Sequence, residues 1–403
     1  MIRFPKAQTN THMVAQLRKD ILKKFGKNVK TATDCDALAV LISEHCAANI
    51  SSQTLRRFFR LIKSSSAPSQ YTLNLLAKFC GYDDFADFCR SYRGTELEEF
   101  FANTHKSDES YWEKSEELCR RISDSPELLV RTHHRLMGYP MARKYFIENH
   151  PLRDLICTVY SEYFSAYLKY NTSAEAKIFA YGFLFKSAFF HQNYELMDLY
   201  FKKVKETQLS PAVHVIPAGL KYGIQLLYAD ATGNEYLFRK FFNEMKKVRE
   251  DYIEASQKSV CSFEYTVLEC LVFTERTEEM RFLLENNTFQ KNQDADFIPS
   301  RRKETHAEVW KILTAFAYQK MGETDKSKRC LADVNLDHLG IGWKKYYSIM
   351  YYFVKLMQTE ESRKQPIITT LKKLISETYF TYYGELLDNY LQNPDSVKNS
   401  VAI

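Results

Sequence analysis

The stretch SSQTLRRFFRLIK, residues 51–63, decides the fold of the N-terminal region. Drawn as a helix, it places four apolar side chains on one face at the i, i+3, i+4, i+7 spacing of an amphipathic helix: Leu55, Phe58, Phe59 and Ile62. The opposite face carries amide and basic side chains: Gln53, Arg56, Arg57, Arg60 and Lys63. The pattern predicts a helix that buries one face in a small core and presents positive charge on the other.

Such a helix has the properties needed to lie in the major groove of DNA. A glutamine amide matches the edge of adenine and an arginine fork matches guanine, so we expect Gln53 and Arg56 or Arg57 to contact bases. The side chains that we expect to contact phosphates are Ser52, Arg60, Lys63 and the serines at 64–66, with Lys23, Lys24, Lys27 and Lys30 extending the footprint. The alternative is the solvated face of an ordinary surface helix.

The positive charge of the chain is concentrated near its N-terminus. The chain has 403 residues and a net charge of +6. Residues 1–93 contain 15 Lys and Arg against 7 Asp and Glu, whereas the remaining residues contain 41 against 43. A basic module joined to a nearly neutral body indicates an anionic partner for the module alone.

The sequence around the basic helix predicts a bundle of helices at about 12–25, 35–46, 51–63, 69–79 and 83–92, with Gly26 ending the first and Asp34 capping the second. The segments LA at 38–39, ISSQTLRR at 50–57 and PSQYTLNLLAKFCGY at 68–82 resemble the lambda-repressor-like (Cro/CI-type) helix-turn-helix family. The resemblance implies a DNA-binding domain. One departure is that about six extra residues separate Ala39 from Thr54 and the turn glycine is missing, so either helix two is longer or the loop at 47–49 is enlarged.

Composition predicts an all-α, soluble protein. Glycine and proline are scarce, at 12 and 10, while tyrosine and phenylalanine are abundant, at 27 and 28, which favours long packed helices. The nine cysteines form no CxxC pair, and we identify no signal peptide, so we expect a reducing cytoplasm. The apolar runs are too short to cross a bilayer, so no membrane partner is expected.

A faint internal repeat organises the rest of the chain. Positions 193, 234, 277 and 323 each precede a similar helix, at steps of 41, 43 and 46 residues. The repeated unit reads as a helix, a short turn and an antiparallel helix, and it resembles a divergent tetratricopeptide-like or HEAT-like solenoid. We therefore expect a helix-turn-helix domain at 1–93, a linker at 94–108 and an α-helical repeat domain at 109–403.

No catalytic, cofactor or metal motif is present in the sequence, so we expect a protein that is not an enzyme. His133 and His134 are adjacent and point about 100° apart in a helix, which predicts exposed polar side chains rather than metal ligands. Two aromatic clusters have helical spacing, and we interpret them as core packing, with a peptide groove as the alternative: Tyr160, Tyr163, Phe164, Tyr167 and Tyr170, and Tyr346, Tyr347, Tyr351, Tyr352 and Phe353.

Together these features predict a cytoplasmic, bacterial DNA-binding transcriptional regulator. Its partner is double-stranded DNA, and its helical body dimerises or binds a peptide or protein effector. The layout is similar to regulators that join a Cro/CI-type head to a tetratricopeptide sensor of signalling peptides, although no ligand-binding residue carries over. A homodimer is expected because one short recognition helix gives few contacts. The alternatives are an interaction scaffold with a degenerate helix-turn-helix, and an enzyme with a site inside the body.

Overall fold

A computed structural model describes residues 6–63, 67–122, 126–149, 151–210, 213–289 and 298–392. Within those ranges the protein is all-α and contains no strand, which confirms the predicted fold class. The α-helices are α1 Lys6–Phe25, α2 Ala32–Cys46, α3 Ser52–Phe58, α4 Gln70–Phe79, α5 Phe85–Ala102, α6 Asp108–Ile122, α7 Pro126–Leu136, α8 Pro140–Ala142, α9 Tyr160–Tyr167, α10 Ala174–Phe190, α11 Tyr194–Glu206, α12 Val215–Ala231, α13 Glu235–Asp251, α14 Ile253–Gln257, α15 Phe263–Leu271, α16 Thr277–Glu285, α17 Ser300–Lys320, α18 Thr324–Ala332, α19 Lys344–Gln358, α20 Gln365–Thr378 and α21 Thr381–Gln392. A π-helix spans Arg143–Glu148, and 3₁₀ turns span Arg153–Leu155, Leu336–His338 and Glu361–Arg363.

The chain divides into two compact units, residues 1–100 and 101–403, which we call unit one and unit two. In unit one, helices α1 to α5 surround an apolar core that includes Leu17, Leu38, Leu55 and Leu76. Helix α5 continues to Ala102, so residues 94–102, which we expected in the linker, are helical.

The ends of the unit-one helices follow from local hydrogen bonds. Helix α1 ends at Gly26, which has a φ of +79°, as predicted. Helix α2 begins earlier than predicted because Thr31, and not Asp34, is its N-cap. The Thr31 hydroxyl accepts a hydrogen bond from the Asp34 amide at 3.2 Å, and the Asp34 carboxylate accepts one from the Thr31 amide at 2.9 Å. This reciprocal pair is a capping box, so the prediction that Asp34 is the cap was wrong.

The connection between α2 and α3 departs from a glycine turn. Helix α2 continues to Cys46, and Ala47 then adopts a left-handed conformation with a φ of +50°. A residue with a Cβ is less favourable there than glycine. The Ser43 hydroxyl donates a hydrogen bond to the Asn49 side chain at 2.6 Å, across the bend. The direction of α3 therefore depends on both the end of α2 and the loop at 47–49.

Unit two contains consecutive helices that pack in pairs: α10 with α11, α12 with α13, α15 with α16, α17 with α18, and α19 with α20. The second helices of the first four pairs begin at or immediately after the marked positions 193, 234, 277 and 323. Asn193 and Asn234 have the same role, since each side chain accepts a hydrogen bond from the backbone amide three residues later, at 3.1 and 3.0 Å. Assignment to a tetratricopeptide-like or HEAT-like family stays a prediction.

The core of unit two is rich in aromatic side chains. Tyr160, Tyr163, Phe164 and Tyr167 are buried, which confirms core packing for most of the first aromatic cluster, whereas Tyr170 is 48% exposed. In the second cluster, the buried side chains are Tyr346, Tyr347 and Phe353, and the half-buried ones are Tyr351 and Tyr352. Throughout the part of the chain that the structure describes, no helix combines the length and apolar character needed to cross a bilayer.

Candidate nucleic-acid interface

Helix α3 is a short helix held by its apolar face. The Ser51 hydroxyl accepts a hydrogen bond from the Thr54 amide at 3.1 Å and fixes the start of the helix. Leu55 and Phe58 are fully buried in the core of unit one, and α3 packs against α2. These two buried side chains orient the helix and leave Gln53 and Arg57 exposed.

The end of α3 differs from the prediction. The helix ends at Phe58, and Arg60 adopts a left-handed conformation with a φ of +62°. The amide of Leu61 then donates back to the carbonyl of Arg56 at 2.8 Å, which closes the helix end. Ile62 is 37% exposed, so the prediction that it lies on the buried face was wrong.

A side chain from α1 helps to fix this helix end. The Arg18 Nε donates a hydrogen bond to the Phe58 carbonyl at 2.6 Å, and its guanidinium lies 5.1 Å from the centre of the Phe58 ring. Burial, with a smaller contribution from the positive charge of Arg60, lowers the pKa of Arg18 below its usual value. Sequence reasoning missed this contact because residues 18 and 58 are far apart in the chain and no motif joins them.

The predicted site residues divide into two groups. Ser52, Gln53, Arg56 and Arg57 lie on α3 itself, whereas Arg60 and Lys63 lie in the segment after it. The exposed members are Gln53, Arg57, Arg60 and Lys63, and their side chains form no hydrogen bond or ion pair with any residue in the described ranges. The serines at 64–66 lie outside those ranges.

Ser52 and Arg56 are half-buried. The Arg56 guanidinium approaches the Asp36 carboxylate of α2 at 3.5 Å. The Ser52 hydroxyl has no hydrogen-bond partner within the described residues. Arg56 is therefore paired with a carboxylate, whereas Arg57 has no ion-pair partner among the described residues.

The four lysines that we expected to contact additional phosphates also fall into two groups. Lys24 contacts the His45 ring nitrogen at 2.9 Å, and Lys27 pairs with Asp34 at 3.1 Å. Lys23 and Lys30 are exposed, and their ammonium groups contact no acceptor in the described part of the chain. The positive surface around α3 therefore comes from a subset of the basic residues that the sequence contains.

The adjacent residues His133 and His134 differ in exposure. His133 is buried and stacks on Phe146 with ring centres 4.2 Å apart, so the prediction of an exposed side chain was wrong for His133, while His134 is exposed. No cluster of three His, Cys, Asp or Glu side chains that could hold a metal ion occurs in the described ranges.

Comparison with known proteins adds no family or structural relative. No family model matches the chain, and no curated protein or solved structure matches it either.

Proposed function

We propose that this protein is a cytoplasmic, sequence-specific DNA-binding regulator of transcription whose helical body dimerises or binds a peptide or protein effector. The observation that carries the proposal is the pair Gln53 and Arg57 on α3. Both side chains are exposed and form no hydrogen bond or ion pair with the described residues, and they stand opposite buried Leu55 and Phe58. Glutamine and arginine are the side chains that read adenine and guanine in the major groove.

Charge supports the same proposal. Arg60 and Lys63 follow α3 and are exposed, and residues 1–93 carry the positive excess of the whole chain. In the proposed complex these two side chains neutralise phosphates and set the register of α3 on the duplex.

A dimer completes the proposal because a single seven-residue helix contacts only a few base pairs. The outer face of α2 carries exposed Val40 and Leu41, at 59% and 38%. Apolar side chains on this face are suited to contact a second copy.

The test is selection of the full-length protein against random duplex DNA at two salt concentrations. We expect an enriched motif, with Arg57→Ala and Gln53→Ala each relaxing the preference at one position and lowering affinity by about 1–3 kcal/mol. Arg60→Ala and Lys63→Ala are expected to weaken binding to all sequences and to reduce the salt slope by about 1.

Arg363→Ala is the matched control, because it removes an equally exposed positive charge from unit two. It should change neither the motif nor the salt slope. Absence of DNA binding at both salt concentrations would overturn the proposal and leave the interaction scaffold as the function. Binding without a motif would reject base reading by Gln53 and Arg57.

A further inference from the structure

Unit two contains a cavity of about 380 Å³ that the proposed DNA contacts do not use. This volume is in the range of small-molecule pockets. Four of its lining side chains are aromatic: Trp112, Tyr145, Tyr167 and Phe179. The rest of the lining is largely polar, and it includes groups of both charges.

One part of the lining carries two neighbouring carboxylates, Glu148 and Glu175. Glu148 accepts hydrogen bonds from the Tyr167 hydroxyl at 2.5 Å and from the Asn171 side chain at 3.4 Å. Neither Glu148 nor Glu175 forms an ion pair with any residue that the structure describes. Burial, and then the neighbouring charge of Glu148, raises the pKa of Glu175. Two adjacent carboxylates at a cavity wall favour a ligand that supplies positive charge.

Another part of the lining carries a positive charge, that of Arg302, which no carboxylate of the described residues offsets. The Arg302 guanidinium lies 4.4 Å from the ring centre of Trp343, and the Arg153 guanidinium lies 3.9 Å from the same ring. Arg153 is paired with Glu269 at 3.0 Å, but Arg302 has no carboxylate partner within the described ranges. Burial and the charge of Arg153 lower the pKa of Arg302 to about 10. A carboxylate on a ligand would offset this unpaired positive charge.

Two lysines of the lining contact other groups. Lys258 is paired with Glu254, one turn earlier on its own segment. Lys144 lies over the ring of Tyr145, with its Nζ 4.8 Å from the ring centre. Asp108 and His214 also line the cavity. A purely anionic ligand would leave Glu148 and Glu175 uncompensated, and a purely cationic ligand would leave Arg302 uncompensated.

We propose that this cavity binds a small zwitterion of the amino-acid or short-peptide class, with its carboxylate on Arg302, its protonated amine on Glu148 and Glu175, and its apolar body against the aromatic walls. Binding involves unit two alone and does not depend on DNA recognition. A role for the ligand as an effector rests on the proposed function.

The test is calorimetric titration of the full-length protein with three probes: the dipeptide alanylphenylalanine, its N-acetyl form and its C-terminal amide. The free dipeptide should bind, and each blocked form should bind at least about tenfold more weakly because it lacks one of the two charges. Lack of binding by the free dipeptide in the millimolar range, or equal binding of all three probes, would overturn the proposal.

Variants assign each end of the ligand. Arg302→Gln should abolish the difference between the free dipeptide and its amide while preserving the effect of N-acetylation. The double variant Glu148→Gln with Glu175→Gln should do the opposite. Arg363→Gln and Glu360→Gln, at exposed positions outside the cavity lining, are the matched controls and should bind as the wild type does.

Protein stability provides an independent measurement. Arg302 is a half-buried charge without an ion-pair partner among the described residues, so Arg302→Gln should melt at the same temperature as the wild type or higher when no ligand is present. A large fall in melting temperature would show that Arg302 stabilises the fold and would count against its role as a ligand contact.

Discussion

The buried carboxylate of Glu269 should be the most sensitive charged position in unit two. Its two oxygens pair with Arg153 Nε at 3.0 Å and Lys186 Nζ at 3.1 Å, and the Tyr347 hydroxyl donates to it at 2.5 Å. All three ionic side chains are at most 8% exposed. Burial alone would raise the pKa of Glu269, but the charges of Arg153 and Lys186 outweigh burial and hold that pKa well below its usual range.

Replacing Glu269 with glutamine leaves two buried cations without a counter-charge. The amide oxygen can still accept one hydrogen bond, but it cannot offset the charges of both Arg153 and Lys186. Removing one partner of a buried ion pair lowers the free energy of unfolding by about 3–5 kcal/mol. For a unit of 303 residues the melting temperature should fall by roughly 5–8 °C.

Thermal unfolding of the wild type and the variant, followed by far-ultraviolet circular dichroism, measures this effect. Glu323→Gln is the matched control, because Glu323 also faces two cations, Arg281 and Lys326, but at the surface. We expect its melting temperature to stay close to that of the wild type. Adding Lys186→Met to Glu269→Gln should recover part of the loss, since one of the two unpaired charges is removed. Equal melting temperatures for Glu269→Gln and Glu323→Gln would refute the reasoning.

Two further predictions concern helix packing and pH. In Gly219→Ala the new Cβ would lie 2.7 Å from the Phe263 carbonyl oxygen, so α12 and α15 must separate. Urea unfolding should show that the free energy of unfolding falls by about 1–3 kcal/mol. The control Gly138→Ala, in an open position, should not show this fall. Burial raises the pKa of Asp154 to about 6, against the hydrogen bonds donated by the Tyr346 and Lys345 amides. Its protonated form therefore stabilises the fold at low pH, and this contribution is lost as pH rises through 6. The stability of the wild type relative to Asp154→Asn should fall by about 2 kcal/mol between pH 4 and pH 7, and a difference independent of pH would contradict this assignment.

The sequence predicted the helices of unit one because their apolar spacing is regular, and Leu55 and Phe58 are buried as expected. It did not predict where α3 ends. No glycine or proline marks that point, and the break comes from the left-handed Arg60 and from the hydrogen bond of Arg18 to Phe58. The local apolar pattern thus identified the helix, whereas its end is stabilised by a contact between Arg18 and Phe58, which are 40 positions apart in the sequence.

The sequence of unit two contains a signal for buried charged residues that helical periodicity does not interpret. Lys186 lies within the apolar run FLFKSAFF and Glu269 within VLECLVF, and a lone charge in such a run indicates a buried partner. The identity of the partner depends on the fold, since Arg153 and Glu269 are separated by 116 residues. The cavity around Glu148 and Arg302 was unpredictable for the same reason, because its lining comes from many separate helices and loops.

The distribution of tryptophan gives the two units different optical properties. Trp112, Trp310 and Trp343 are the only tryptophans in the chain, and all three belong to unit two. Trp343 is 2% exposed and Trp112 is 8% exposed, so their emission should shift to longer wavelength when unit two unfolds. Unit one contributes no indole emission. Indole fluorescence therefore reports unfolding of the helical body alone. Circular dichroism reports the loss of helix from both units, so the difference between the two unfolding curves measures the unfolding of the N-terminal unit within the intact chain.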